Sequence, residues 1–213
     1  MSEQDVEQQG EVLEEQLDPE REARRRLALA QIRQYPDPVL RMRANEIESF
    51  DDDLRRLVQR MKDLLQEAIG VGLAGTQVGT LQRVFVFQPE GEDEAPRALV
   101  NPVLVKTSEV TLSDTEGCLS MQGVSIPVER PVKVTIEGKD ENGEDVRLEL
   151  EERDARVVQH ELDHVDGILI LDRTTAEARR EAGSREGGRS SGARASSTAG
   201  SRCSKCSRRA AAG

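Results

Sequence analysis

Two histidines four residues apart, with a glutamate directly after the first, stand in His160-Glu161-Leu162-Asp163-His164. On a helix this i, i+4 spacing sets His160 and His164 one above the other on a single face. Two imidazoles so placed can hold one metal ion. Glu161, at the edge of that face, can handle the proton of a water activated there. These are the only two histidines in 213 residues, so a third protein ligand must be sulfur or carboxylate. Cys118, in Thr115-Glu116-Gly117-Cys118-Leu119-Ser120, is the one cysteine outside the C-terminal tail. Its thiolate can be that third ligand; a small buried core residue is the other reading of a lone cysteine.

The rest of the chain must position these groups, and its composition limits how. There are no tryptophans, one tyrosine and three phenylalanines, so the core must be aliphatic. No apolar run approaches the ~18 residues of a membrane span. The N-terminus is acidic and lacks an apolar core, unlike a secretory signal, and three cysteines fit a reducing compartment better than a disulfide scaffold. A cytoplasmic place is expected. From Thr174 onward there are nine Lys/Arg and three Asp/Glu, a balance of +6, which leaves −17 for the rest of a chain whose total is −11. So acidic a body does not read as a specific DNA binder, although the basic tail could touch RNA.

In order, residues 1–26 are rich in Glu and Gln and read as disordered or as a frayed, solvated helix. Two prolines keep Ile32 to Leu40 extended or turned. Ser49 or Asp51 can cap a helix whose buried stripe is Leu54, Leu57, Val58, Met61, Leu64, Leu65 and Ala68, with Gly70 suited to end it. Gly70 to Gly79 is a Gly-rich loop without the Lys-Ser/Thr of a phosphate loop. Val84 to Phe87, Ala98 to Val105 and Val110 to Leu112 are strand candidates, with a bend at Asn101-Pro102. Val132 to Ile136 and Val146 to Leu150 alternate apolar and polar around Asn142-Gly143, a hairpin signal. Asp154 to Val165 is the histidine-bearing helix, ended by Gly167. Ile168 to Leu171 is expected to form a last short strand. Beyond about Ala182 the tail dissolves into Gly, Ser, Ala and Arg and is expected to be disordered.

Three stretches taken together carry a resemblance. Gly70-Val71-Gly72-Leu73-Ala74-Gly75-Thr76-Gln77, Glu116-Gly117-Cys118-Leu119-Ser120 and Gln159-His160-Glu161-Leu162-Asp163-His164 resemble, in that order, the three signature motifs of the peptide deformylases. Gly75 stands where the family usually has a second alanine. The resemblance covers roughly Ile32 to Arg173. It implies an α+β fold of antiparallel strands around a central metal-bearing helix, and removal of the formyl group from the initiator methionine of N-formylmethionyl nascent chains. It implies one divalent ion, natively ferrous iron, with zinc, nickel or cobalt as alternatives, held by Cys118, His160 and His164. Glu161 would act as general base and acid; Gln77 and the Leu119 backbone N–H would stabilise the oxyanion. Val71 and Gly72 would pair with the substrate main chain. Glu116 and Asp163 read as groups that orient the ligands, or as ordinary ion pairs. The layout expected is an acidic extension over 1–30, disordered; a catalytic domain over 31–173; and a basic tail over 174–213. In some family members a C-terminal helix docks on the ribosome, and Thr174 to Ala182 could start one here.

Two other chemistries share the histidine pair. A metallopeptidase with a third histidine is excluded, because Ile170 occupies that place. One with a glutamate ligand would need Glu177 or Glu181. A structural zinc site would need Cys203 and Cys206 and would have no use for Glu161 or Gln77.

Overall fold

The structure is a computed structural model; it describes residues 18–91 and 94–180. Its first element is helix α1 (Pro19–Leu29), within the stretch expected to be disordered up to residue 30. The Asp18 carboxylate accepts from the N–H groups of Glu20 and Arg21, and Pro19 fills the first turn, where no N–H is needed. Ala28 is fully buried and Leu29 packs beside it against helix α2 (Asp52–Glu67). Few apolar residues suffice here because a neighbouring helix supplies the rest of the contact. Residues 1–17, and the tail beyond Arg180 with its Cys-x-x-Cys, lie outside the described residues.

Asp51 caps α2 through the N–H groups of Asp53 and Leu54. The far end departs from expectation. Ile69, not Gly70, takes the left-handed conformation, at φ 56°. Its N–H bonds to the Gln66 carbonyl and that of Gly70 to the Leu65 carbonyl, a Schellman closure built on a β-branched residue. Gly70 instead lets two leucines close over its Cα: a Cβ there would lie 2.8 Å from Leu119 Cδ1 and 2.9 Å from Leu65 Cδ1.

Five strands follow in one antiparallel sheet: β1 (Gly72–Ala74), β2 (Val84–Phe87), β3 (Arg97–Thr107), β6 (Lys133–Lys139) and β7 (Asp145–Glu151), side by side in that order. Side chains alternate between its faces. Leu73, Val84, Val86, Ala98 and Val100 join the core under α1 and α2, whereas Ala74, Phe85, Phe87, Leu99 and Ile136 join the core under helix α3 (Glu152–Val165). Asn101-Pro102 is a bulge inside β3 rather than a break, and the Asn101 amide pairs with both backbone groups of Ile47 at 2.9 Å.

Between β3 and β6 the chain makes a second, two-stranded sheet, β4 (Thr111–Cys118) and β5 (Met121–Pro131). Only the start of β4 was expected as strand, and β5 was not expected at all. β4 is mostly exposed and carries Ser, Asp, Thr and Glu, so it has no apolar alternation to read. In β5 Val124, Ile126, Val128 and Arg130 face inward.

Helix α3 lies between these two sheets and is buried nearly all round, Gln159, Glu161, Asp163 and His164 included. Gly167, at φ 76°, closes it in a second Schellman motif. The chain then turns back on α3, so Ile168 to Leu171 is not a strand: the short helix α4 (Ile170–Arg173) follows, its first turn held by Leu169 N–H to Asp172.

Candidate active site

The histidines arrive as their spacing predicts. On α3 the rings of His160 and His164 lie 4.9 Å apart, edge to face. Cys118 comes to them from the end of β4, where the hairpin register shifts and Cys118 pairs with Met121. Its Sγ is 3.2 Å from His164 Nε2, and the donor atoms of Cys118, His160 and His164 all lie within 4.8 Å of one another. That convergence of one sulfur and two imidazole nitrogens fits a tetrahedral divalent ion with an open fourth place. His160 turns its Nδ1 to Glu116 Oε2 at 3.0 Å, which leaves its Nε2 for the metal. His164 is buried and held well below its usual pKa by that burial and by the charges of His160 and Arg130, so it stays in the neutral form that can ligate. Burial also opposes the charge of His160, but hydrogen bonds to Cys118 and Glu116 outweigh it and raise that ring.

Glu161 follows His160 and turns toward β1. Its Oε1 would lie 2.1 Å from a Cβ at position 72, so only glycine leaves room for this carboxylate. Because β1 alternates, Gly72 and not Leu73 faces α3. Burial pushes Glu161 up to about 7, despite the attraction of His160. Glu161 Oε2 and His164 Nδ1 are the buried side-chain atoms left without a hydrogen-bond partner among the described residues. Both belong to the histidine motif, and buried polar atoms without partners concentrate where a ligand completes a site.

Gln77 sits in the short turn Gly75–Val78 and is almost fully buried. Its Oε1 accepts from Ala74 N–H at 2.8 Å, which fixes the amide orientation. Its Nε2 donates to Ser120 Oγ at 3.1 Å and approaches Cys118 Sγ at 3.6 Å, while Ser120 N–H reaches the same sulfur at 3.4 Å. Neighbouring Thr76 donates its hydroxyl to the His164 carbonyl at 3.1 Å and so ties this turn to α3. Val71, Gly72, Gln77, Cys118, Leu119, His160 and Glu161 line one cavity of about 980 Å³. Thus every site residue read from the sequence except His164, which lies behind the others, borders the same space.

Arg130 is the group that sequence reasoning missed. From β5 its guanidinium forks onto Glu116 at 2.7 and 2.9 Å and reaches Asp163 at 2.8 Å, all three buried. Arg156 also bonds Glu116, and Arg173 bonds Asp163. Glu116 therefore both contacts His160 and sits in an ion pair with Arg130. Among the described residues the Asp163 carboxylate bonds Arg130 and Arg173 rather than Cys118 or either histidine. Burial opposes the charge of Glu116, yet the hydrogen bonds of Arg130 and His160 hold it far below the usual carboxylate range. An arginine inside an otherwise alternating stretch, Val124-Ser-Ile-Pro-Val-Glu-Arg130, was the available signal.

Known proteins resemble this chain in sequence and in fold. Residues 29–180 match the family model described as polypeptide deformylase. A peptide deformylase of Natranaerobius thermophilus is 43% identical over 155 residues, 73% of this chain and 98% of that protein. One from Caldicellulosiruptor bescii is 45% identical over 148 residues, 69% of this chain and 86% of its own. Among solved structures, the peptide deformylase of Synechococcus elongatus in complex with actinonin superposes with a TM-score of 0.70 at 37% identity, covering 73% of this chain and 86% of that one.

Proposed function

This chain belongs to the polypeptide deformylase family, metal-dependent enzymes that remove the N-formyl group from the initiator methionine of newly made proteins, and we propose that Cys118, His160 and His164 hold its ion. The observation that supports this assignment is the convergence of their three donor atoms beside a glutamate seated against Gly72. A divalent ion, when bound, supplies the Lewis acidity that lowers the pKa of water and polarises a carbonyl.

The chain's own residues do the rest. Val71 and Gly72 offer the open edge of β1 to the substrate main chain, in the manner of an added strand. Glu161 takes the proton of the attacking water at its carboxylate. Water oxygen bonds to the formyl carbon, the C–N bond breaks, and Glu161 passes a proton to the departing amine; the products are formate and a free N-terminus. A carboxyl near neutrality suits both halves of that transfer, since it must accept and then give at one pH. Gln77 Nε2 and the Leu119 N–H donate to the developing oxyanion. Glu116, gripped by Arg130, keeps His160 turned to the ion.

Ferrous iron is our reading of the native ion, with zinc, nickel or cobalt able to occupy the same sulfur and nitrogen donors. The substrate sets the place of work: formylated chains arise at ribosomes, so we place the enzyme in the cytoplasm, with its basic C-terminal tail toward ribosomal RNA. Among the described residues no helix is long and apolar enough to cross a membrane. Of the rival ligands, Glu177 lies in the exposed segment after α4, whereas Cys118 borders both histidines.

The test is deformylation of formyl-Met-Ala-Ser by anaerobically purified protein, with metal analysis of the same sample. One divalent ion per chain and release of formate are expected. Cys118→Ser should lose the ion or its activity; retention of both would overturn the ligand assignment. Faster inactivation of the iron form than of a nickel form in air is expected if iron is native.

A further inference from the structure

The cavity that holds the reacting groups has a second end. Beyond Glu161 and Gly72 it is lined by Val71, Gly70 and Ile69, and by Arg25 and Leu29 of α1. These two side chains, four residues apart, lie on one face of that helix. Arg25 precedes the stretch 29–180 that matches the family model, so membership of the family assigns it no role.

The path of a substrate is constrained by burial. β1 is the outer strand of its sheet, paired with β2 on one side. Leu73 and Ala74 are fully buried, whereas Val71 and Ile69 are 46% and 44% exposed. An extended chain with its formyl group beside Glu161 can therefore leave along the edge in one direction only, past Val71 and toward Ile69. At ~3.3 Å per residue, its first residue lies by Gly72, its second by Val71, and its third where Ile69 and Gly70 meet α1.

Arg25 is held at that point. Its Nε donates to the Ala68 carbonyl at 3.4 Å, which fixes the guanidinium next to Ile69, and Arg25 lines the cavity. Among the described residues it has no carboxylate partner, in contrast with Arg24, which reaches Glu20 at 3.9 Å.

Building on the deformylase reading above, we propose that Arg25 is a specificity-determining residue that favours an acidic side chain at the third position of the formylated chain, two residues after methionine. The pairing is partly solvated, so its expected size is about two- to fivefold in kcat/KM, the range of an exposed ion pair.

The experiment compares formyl-Met-Ala-Glu, -Ser and -Lys, each amidated so that no terminal carboxylate competes, on the metal-loaded full chain. Wild type should favour Glu over Lys by several fold, and added salt should narrow the ratio. Arg25→Gln should bring the ratio near one, Arg25→Glu should invert it, and Arg25→Lys should keep its direction. Arg24→Ala removes the same charge from the same helix without facing the cavity, and should leave the ratio unchanged. Deformylation of all three peptides at equal efficiency by wild type, or an equal Glu/Lys ratio in wild type and Arg25→Gln, would overturn the role of Arg25 alone. Failure of the loaded wild type to deformylate any of the three would overturn the underlying reading together with it.

Discussion

Gly72 and Glu161 are in direct contact across the sheet–helix interface, carboxylate against Cα, with no room for a methyl group between them. One residue thus serves two requirements: it leaves backbone free at the edge of β1, and it lets the carboxylate stand beside the histidines. Gly72→Ala must push Glu161 away, because the ideal Cβ falls 2.1 Å from its Oε1. We expect kcat/KM to fall by roughly 10²-fold, since a misplacement of about 1 Å can cost that much. The ion should remain, because no ligand is touched. Near-normal turnover in a folded, loaded Gly72→Ala enzyme would argue against the assigned position of Glu161.

Glu161→Gln keeps shape and removes the proton acceptor. Activity should drop by on the order of 10²-fold or more, with the ion retained. Single-turnover formate release alongside metal analysis separates loss of chemistry from loss of metal.

The same substitution should stabilise the metal-free protein. Burial raises the folded-state pKa of Glu161 from its ordinary 4.5 to about 7. A raised acid binds protons more tightly when folded, so its contribution is fully present below about pH 4.5 and is lost as pH rises through 7. Metal-free Glu161→Gln should therefore gain stability over wild type at pH 8, on the order of 2 kcal/mol, and the gain should shrink toward pH 5. Denaturant midpoints at the two pH values measure this; an equal difference at both would contradict the burial argument.

Glu116→Gln should act on the metal and on acid stability together. It leaves His160 without its anionic partner, and loss of such a partner typically costs 10–100-fold in metal affinity. Glu116 is depressed in the fold, so it contributes stability above its ordinary 4.5 that is lost as pH falls below that value. Wild type should lose stability on acidification in that range, and Glu116→Gln should lose less. Competition with a chelator and acid unfolding curves would show either effect missing.

The tail makes a separable prediction. At +6 against a body at −17, it should draw the enzyme to ribosomes most at low salt. Co-sedimentation of the full chain should exceed that of a chain ending at Arg173, and the difference should shrink at moderate salt. Equal binding by both would leave the tail without this role.

Much of the site was legible in the chain because its chemistry is local. The His160–His164 pair follows from helical spacing alone, and the cap at Asp51 and the hairpin at Gly143 follow from short-range turn chemistry. Resemblance assigned Cys118 and Gln77 to the site of the histidines; Cys118 Sγ lies 3.2 Å from His164 Nε2, and Gln77 Nε2 lies 3.6 Å from that sulfur. What escaped was decided by contacts between residues far apart in sequence. β4 is stabilised by pairing with β5, so it needs no apolar alternation to announce it. β5 does alternate from Val124 to Arg130, but was overlooked because Gly123, Pro127 and Arg130 interrupt its apolar character. Helix α1 is a packed helix where composition predicted disorder or a frayed, solvated helix, because α2 lies against Ala28. Arg130 looks like a surface residue until β5 turns it between Glu116 and Asp163. Gly72 reads as a loop glycine, and only the approach of α3 to β1 reveals that it makes room for Glu161. Spacing along one helix is set by covalent geometry; burial of an arginine, or of a glutamate against a glycine, exists only once two sheets close over that helix.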